Sequence, residues 1–392
     1  MDGASRRLLV LLALATVFEG YGRALVPVVL PYLGDDLAAG ASGLSYAQAA
    51  ITAGQLGVLV LGPLADRFGR RRLLLAALTL HALFGAATGT ATTLGALIGW
   101  QVAARVFQEA LLFTVAVIAA EEMPASRRGI AHGVLGAVNA MGAGLPAFLL
   151  VFLRWMPGGW RALCVPSLLP LLLLPLLRGS LPESRRWRAQ RDATGHLPPG
   201  YRGRLGAAIA LLFLGAAHDT AGFAFSTWLP VARHGWSPEA TSGLIVVAGA
   251  IGMPGWWIGG RLADGLGRRA TAVTFLAGLT VAELVFFLGG EHALWPGFAG
   301  MVFFQGGKVT VLRAWATELF PTHVRGTTMS WLTAASTAGG IAGLAGAGAL
   351  AARVGGMAPA LALVAMSGLA AAGIAWWALP ETSGLELEVA AP

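Results

Sequence analysis

The chain has 392 residues, of which 56% are hydrophobic and only 12% charged, and its formal net charge is +8. Soluble domains carry about a quarter charged residues, so this composition excludes a water-soluble protein and indicates a membrane protein. The basic excess does not indicate nucleic-acid binding, because the arginines fall mainly in short segments on one side of the predicted spans.

Apolar runs long enough to cross a membrane occupy nearly the whole chain. A spanning helix needs about 20 mainly apolar residues. The sequence predicts twelve spans with loosely placed ends: 8–32, 44–65, 73–93, 95–120, 130–153, 160–181, 205–230, 237–260, 270–290, 295–319, 327–351 and 357–379. These spans and their short loops leave no room for a soluble catalytic domain.

The first apolar run, 8–32, follows two arginines but does not read as a signal peptide. It is too long and contains Glu19 and Arg23, so we interpret it as a retained span. With both termini inside, most arginines lie in cytoplasmic segments, as the positive-inside rule requires. We therefore expect a multi-pass protein of the inner (plasma) membrane with cytoplasmic N- and C-termini.

Two motifs occur twice at nearly the same spacing. "GPLAD" at 62–66 returns as "GRLAD" at 260–264, which is 198 residues later. "EEMPASRRG" at 121–129 returns as "ELFPTHVRG" at 318–326, which is 197 residues later. Two independent motifs at one offset indicate a duplicated unit of six spans.

The duplication predicts the domain organisation. Parallel repeats of a six-helix bundle are a known plan of secondary transporters. We expect one bundle at 1–181, a basic cytoplasmic linker at 182–204 and a second bundle at 205–392.

Several motifs resemble signatures of the major facilitator superfamily. "GPLADRFGRRR" resembles the family's loop between spans 2 and 3, and "LPESRRW" (181–187), "ELFPTHVRGT" (318–327) and "LPETSGLELE" (379–388) resemble three further signatures. The resemblance covers the chain from end to end. It implies an all-α fold of twelve transmembrane helices in two pseudo-symmetric six-helix bundles, which alternate in access around a site near the membrane midplane.

Span 1 adds a narrower resemblance. "FEGYGRALVPVVLPYL" (18–33) is similar to the opening of aromatic-acid and related metabolite–proton symporters, with Glu19 at the position of the first acid and Arg23 near that of the second. Span 7 lacks the paired glutamines of sugar porters, which argues against a sugar substrate.

Ionisable residues inside the predicted spans are the main functional signal. Each costs about 2.5–3.5 kcal/mol on insertion scales and is functional by default. The deep ones lie almost entirely on spans 1, 4, 7 and 10. In the family that the chain resembles, these four spans line the central cavity. The residues are Glu19, Arg23, Arg105, Glu109, His218, Asp219, Lys308 and Arg313. Glu283 in span 9 stands apart from this set.

These residues give two sets of candidates. Carboxylates in a membrane can exchange a proton when a charged substrate arrives, so the proton-coupling candidates are Glu19, Glu109 and Asp219. Cationic and aromatic groups on the same spans are the substrate-binding candidates: Arg105, Lys308, Tyr21, Arg23, His218 and Trp228. Lys308 is the only lysine, and the small positive excess on these spans favours an anion.

Sequence spacing predicts local ion pairs as well. Glu19 and Arg23 lie four residues apart, and so do Arg105 and Glu109. Residues at this spacing share one face of a helix, so each pair is expected to neutralise itself. A purely structural role for these pairs remains an alternative.

The repeated loops predict a cytoplasmic gate. Acids and arginines at helix ends can pair in one arrangement and separate in another, which suits a two-state machine. The alternative is that the arginines only set the topology. The gate candidates in the two halves are Asp66, Arg70, Glu121, Arg128, Asp264, Arg268, Glu318 and Arg325.

Together these features predict proton-coupled uptake of a small organic anion or similar metabolite by alternating access. The alternatives are proton-driven efflux of amphipathic compounds, sugar or organic-cation transport, and a non-transporting membrane sensor. Phosphate-binding loops and metal-spaced His/Cys sets are absent from the sequence, so we expect neither an enzyme nor a cofactor or metal. The expected partners are the substrate, protons and the lipid bilayer, with the protein a monomer.

Overall fold

The computed structural model describes residues 3–61, 69–122, 128–180, 199–321 and 325–383, which fold into helices joined by short turns. The twelve long helical segments are α1 (Gly3–Asp36), α2 (Ala41–Leu61), α3 (Arg70–Ala87), α4 (Leu94–Glu122), α5 (Arg128–Leu150), α6 (Gly159–Ser180), α7 (Arg202–Ala224), α8 (Pro238–Gly265), α9 (Arg268–Leu288), α10 (Leu294–Glu318), α11 (Arg325–Ala351) and α12 (Met357–Ala378). A short helix at Trp228–His234 follows α7.

Nine of these helices in the described ranges are long and apolar enough to cross a membrane by composition alone: α1, α2, α3, α6, α7, α8, α9, α11 and α12. In α5 the corresponding apolar stretch, Val134–Leu150, is shorter. The helices α4 and α10 have 29 and 25 residues, which is ample for a bilayer. Both carry charged residues in their middle turns.

Two of the helices are irregular for local reasons. α6 begins as a 3-10 helix over Gly159–Leu173, which contains Pro166 and Pro170, and continues as an α-helix. Each proline removes a backbone donor from the α-helical ladder. α8 contains a π-helical segment at Leu244–Ala248.

The same helix pairs pack in each half of the chain. In the first half α1 packs on α5 and α6, α3 packs on α4 and α6, and α2 packs on α4. In the second half α7 packs on α11 and α12, α9 packs on α10 and α12, and α8 packs on α10. Each helix contact of the first half thus has an equivalent in the second half between helices numbered six higher, as a duplicated bundle requires.

Close backbone contacts at glycines occur between equivalent helices in the two halves. A Cβ added at Gly142 of α5 would lie 2.0 Å from the carbonyl oxygen of Val17 in α1. A Cβ at Gly339 of α11 would lie 1.9 Å from the carbonyl oxygen of Phe213 in α7. Only a residue without Cβ lets the two backbones approach this closely.

The close contact between α2 and α4 has an equivalent between α8 and α10. A Cβ at Gly54 would meet the Val102 carbonyl oxygen at 2.7 Å, and one at Gly252 would meet the Ala299 carbonyl oxygen at 2.6 Å. The glycines are 198 residues apart, as are the "GPLAD" and "GRLAD" motifs. The offset between the two loop motifs therefore also separates equivalent helix contacts inside the spans.

By their contacts the residues fall into two compact units, Met1–Ala39 with Ala50–Asp192, and Gly40–Ala49 with Ala193–Pro392. Of the predicted linker, 182–204, residues 182–198 lie outside the described residues. The domain boundaries taken from the sequence stay predictions.

Candidate functional site

Charged and amide side chains of α1, α4 and α5 meet inside the first unit. We call this group the N-terminal polar cluster, and its members are Glu19, Arg23, Arg105, Gln108, Glu109 and Asn139. Such a group in the apolar part of a bundle must satisfy itself or serve a function.

Glu19 is the buried centre of the N-terminal polar cluster, with a side chain only 1% exposed. Its Oε1 atom accepts hydrogen bonds from Arg23 at 2.6 Å and 3.0 Å and from Gln108 at 2.9 Å. Its Oε2 atom accepts from Asn139. Both oxygens act as acceptors, as those of an ionised carboxylate do.

Arg23 lies between two acids. Its Nη2 atom is 2.6 Å from Glu19 Oε1 and 2.8 Å from Glu109 Oε1. The Arg23 side chain is 35% exposed, whereas that of Glu109 is 15% exposed. The predicted pair of Glu19 and Arg23 is present, but Glu109 pairs with Arg23 of α1 rather than with Arg105 one turn back on α4.

Arg105 is 6% exposed and holds the helices together through neutral acceptors. Its Nη1 atom donates to Gln108 Oε1 at 2.8 Å, and its Nη2 atom donates to the Arg23 carbonyl oxygen at 3.0 Å. Two arginines and two glutamates give the N-terminal polar cluster a formal charge of zero. This balance is what burial in hydrocarbon demands.

A second group joins α7 to α10 in the second unit. We call it the C-terminal polar cluster, and its members are Asp219, Lys308, Gln305 and Thr220. Lys308 Nζ donates to Asp219 Oδ2 and, at 3.1 Å, to the Gly215 carbonyl oxygen. Lys308 is 4% exposed, and Asp219 neutralises its charge within the helix pair.

Each cluster contains a glutamine that donates to its buried carboxylate. Gln108 of α4 donates to Glu19 Oε1 at 2.9 Å, and Gln305 of α10 donates to Asp219 Oδ2 at 3.0 Å. The two glutamines are 197 residues apart, as are the "EEMPASRRG" and "ELFPTHVRG" motifs. Each half thus contains a carboxylate, a cation and a glutamine shared between equivalent helices.

His218 does not join its neighbour Asp219 in the C-terminal polar cluster. Its Nδ1 atom lies 2.8 Å from Glu283 Oε2 of α9, and both side chains are 0% exposed. Consecutive residues of an α-helix point about 100° apart, so α7 directs Asp219 toward α10 and His218 toward α9. Glu283, which the sequence sets apart, is therefore a partner of His218.

The aromatic candidates make their observed contacts with residues outside the polar clusters. Tyr21 is 2% exposed, and its hydroxyl donates to the Leu163 carbonyl oxygen of α6 at 2.5 Å. The ring of Trp228 packs edge-on against Phe225, with 5.7 Å between centroids.

The gate candidates of the second half do meet. Arg268 Nη1 is 2.7 Å from Asp264 Oδ1, and Arg268 Nη2 is 2.9 Å from Glu318 Oε1. This group joins the ends of α8 and α10 to the start of α9. Thr382 completes it by donating to Glu318 Oε2 at 2.5 Å.

Glu381, just after α12, binds the start of α9. Its carboxylate accepts from the backbone N–H groups of Arg268 at 2.8 Å and Arg269 at 2.9 Å. Partial burial opposes its ionisation, but these N–H groups, with those of Ser383 and Thr382, hold the pKa of Glu381 below its usual 4.5. Gly267 has φ 96°, and a Cβ there would meet this carboxylate at 2.6 Å.

The gate candidates of the first half are described only in part. Asp66 lies outside the described residues, and so do the side chains of Glu121, Arg128 and, in the second half, Arg325. Arg70 begins α3 with its side chain partly buried. Their pairing as a gate stays a prediction.

Sequence reasoning missed the amides and the last acid. Gln108, Gln305 and Asn139 are uncharged, so a search for ionisable groups in spans passes over them. The 197-residue offset between Gln108 and Gln305 was the available signal. Glu381 lies within the motif "LPETSGLELE" but was not among the gate candidates.

Comparisons with known proteins agree with this architecture. The gallate transporter of Pseudomonas putida is 27% identical over 86% of this chain and 83% of its own length. The 3-(3-hydroxy-phenyl)propionate transporter of Escherichia coli is 27% identical over 73% of this chain and 72% of its own. A crystal structure of a D-xylose–proton symporter matches with a TM-score of 0.80 and 16% identity, over 96% of this chain and 98% of that one.

The family model of the Major Facilitator Superfamily matches residues 12–344, which is most of the chain. The twelve-helix fold, the duplicated packing and the charged residues on α1, α4, α7 and α10 agree with that match. The chain therefore belongs to the Major Facilitator Superfamily and is a multi-pass membrane transporter.

Proposed function

We propose that this transporter takes up small aromatic carboxylate anions together with protons. One observation carries the proposal: Arg23, the more exposed cation of the N-terminal polar cluster, lies between Glu19 and Glu109. The substrate class is supported by two relatives whose names specify gallate and 3-(3-hydroxy-phenyl)propionate, both aromatic carboxylates.

Charge balance explains how a proton and an anion would be coupled. With both glutamates ionised, the N-terminal polar cluster has zero formal charge and little attraction for an anion. A proton on one glutamate raises the charge to +1 and releases one side of the Arg23 guanidinium. A carboxylate that binds there returns the charge to zero, so each ligand favours the other.

Glu109 is the proton carrier in this scheme. Within the described part of the chain it accepts one hydrogen bond, from Arg23, and its side chain is 15% exposed. Glu19 is buried and takes donors at both oxygens, so protonating it would break several bonds. Asp219 is likewise bound by Lys308, Gln305 and Thr220.

Arg23 is the anion contact. Arg105 and Lys308, the anchors taken from the sequence, are 6% and 4% exposed and already bonded within their clusters. An arginine can bind a carboxylate through two parallel hydrogen bonds. When Glu109 is protonated, the Nη2 atom of Arg23 would bind the substrate carboxylate in place of Glu109. Arg105 then positions α4 against α1.

The remaining features of the account follow the family plan. We place the termini on the cytoplasmic side, because most arginines fall in segments on one side of the predicted spans. We also propose that the protein acts as a monomer in the inner membrane. The group of Asp264, Arg268 and Glu318 would act as a cytoplasmic latch that forms in one transport state and opens in the other.

Uptake into proteoliposomes tests the proposal. Labelled gallate and 3-(3-hydroxyphenyl)propionate are expected to accumulate when the outside is acidic, and xylose and an aromatic amine are not. Dissipating the pH gradient with an ionophore should abolish accumulation but not equilibration. Accumulation of the amine in preference to both carboxylates would refute the substrate class.

A further inference from the structure

We propose that an anionic phospholipid binds in a groove between the start of α1 and the end of α6. The groove has a volume of about 360 Å³ and is lined by Arg6, Arg7, Val10, Leu11, Leu14 and Leu176. It lies within the first unit, and its α1 residues, 6–14, come before Glu19 and Arg23 along the helix. None of its lining residues therefore belongs to the N-terminal polar cluster.

The depth of the lining residues matches the parts of a phospholipid. Arg6 is where the apolar span of α1 begins, at the level of lipid head groups. Leu14 lies eight residues further, which is about 12 Å deeper along a helix, at the level of acyl chains. Val10 is 52% exposed, and Leu176 of α6 is 44% exposed, so the floor of the groove is apolar and open.

A hydrogen bond between the two helices holds Arg7 at the end of α6. Arg7 Nη2 donates to Ser180 Oγ, the last residue of α6, at 3.0 Å. Both Arg6 and Arg7 are exposed. Two guanidinium groups beside a hydroxyl favour a phosphate, which arginine binds through paired hydrogen bonds.

Charge complementarity selects the occupant. A zwitterionic lipid would add a positive ammonium beside two arginines, whereas a phosphatidylglycerol head group has a net negative charge. Basic pockets on the cytoplasmic side of membrane proteins recognise anionic head groups, and the positive-inside rule puts this rim on that side. The acyl chains would cover the exposed side chains of Val10, Leu14 and Leu176.

Native mass spectrometry of the full chain tests the site with dioleoyl phosphatidylglycerol and dioleoyl phosphatidylcholine as probes. We expect the wild type to retain phosphatidylglycerol and to lose phosphatidylcholine. The variant R6Q/R7Q should bind phosphatidylglycerol about 30-fold more weakly, the effect of two lost cationic contacts. Leu14→Trp keeps both charges but fills the groove, and it should also weaken binding.

The matched control is R202Q/R204Q, which removes two arginines at the start of α7, the equivalent helix of the second half. It should bind phosphatidylglycerol as the wild type does. An equal loss in this control, or unchanged binding in R6Q/R7Q or Leu14→Trp, would overturn the proposal. Displacement of phosphatidylglycerol by millimolar inorganic phosphate would do so too, because it would assign the rim to a free anion.

Discussion

Arg23 of α1 and Glu109 of α4 form an ion pair across 2.8 Å, although the sequence offers each of them a partner on its own helix. Arg23 keeps its local partner Glu19 as well, so one guanidinium neutralises two acids. In the proposed scheme, a proton on Glu109 changes the charge beside Arg23 and leaves the hydrogen bonds of Glu19 in place.

Glu109→Gln should remove the pH dependence of substrate exchange. The amide imitates the protonated acid, so the charge beside Arg23 stays at +1 at every pH and the anion binds without a proton. We expect exchange of labelled for unlabelled gallate to persist in proteoliposomes at acidic and alkaline pH, whereas wild-type exchange falls as pH rises. Glu291→Gln, on an exposed turn after α9, is the control and should keep the wild-type profile.

Gly142→Ala should destabilise the first unit strongly. The added Cβ would lie 2.0 Å from the Val17 carbonyl oxygen, so α1 and α5 must separate, at a cost of about 1–3 kcal/mol or more. Gly144→Ala on the same helix is the control, because a Cβ there has nothing within 4 Å. Thermal unfolding in detergent should show a lower Tm for the first variant alone. Equal Tm values would contradict the close helix contact.

His218 and Glu283 should be energetically coupled. Each is fully buried, so loss of one leaves a polar atom of the other buried without its hydrogen bond. We expect the destabilisation of His218→Ala/Glu283→Ala to be smaller than the sum of the single variants by about 0.5–3 kcal/mol. The free energy of unfolding of the four proteins measures this difference, and additive values would argue against a direct bond.

Glu381→Gln should destabilise the start of α9 most at neutral pH. The pKa of Glu381 is lowered in the folded state, so its ionised form stabilises the fold above its usual pKa of 4.5. This contribution is lost as the pH falls through the lowered folded value. The difference in Tm between wild type and variant should therefore shrink in acid, and a difference that grows in acid would contradict the assignment.

The fold was predictable because its signals are long and repeated. Twelve apolar runs and two duplicated loops specify the number of spans and the internal symmetry, and the glycine contacts of Gly54 and Gly252 follow the same offset. The irregular helices were less accessible. The π segment of α8, Leu244–Ala248, contains no proline and leaves no clear mark in the sequence.

The sequence indicated which charged residues lie in the candidate site, but not which of them pair with each other. The deep ionisable residues of α1 and α4 do meet, since both helices face each other in the first unit. Which acid pairs with which cation depends on helix rotation, which spacing alone does not specify. Hence His218 could not be separated from Asp219, and neutral bridging residues such as Gln108 gave no electrostatic signal.

Simultaneous recording of proton and labelled gallate entry into the same proteoliposomes tests the central claim most directly. We expect one proton to enter with each monovalent anion in the wild type, with no net charge movement, and gallate to enter without protons in Glu109→Gln. Proton entry that still accompanies gallate in Glu109→Gln, or charge movement in the wild type, would contradict it.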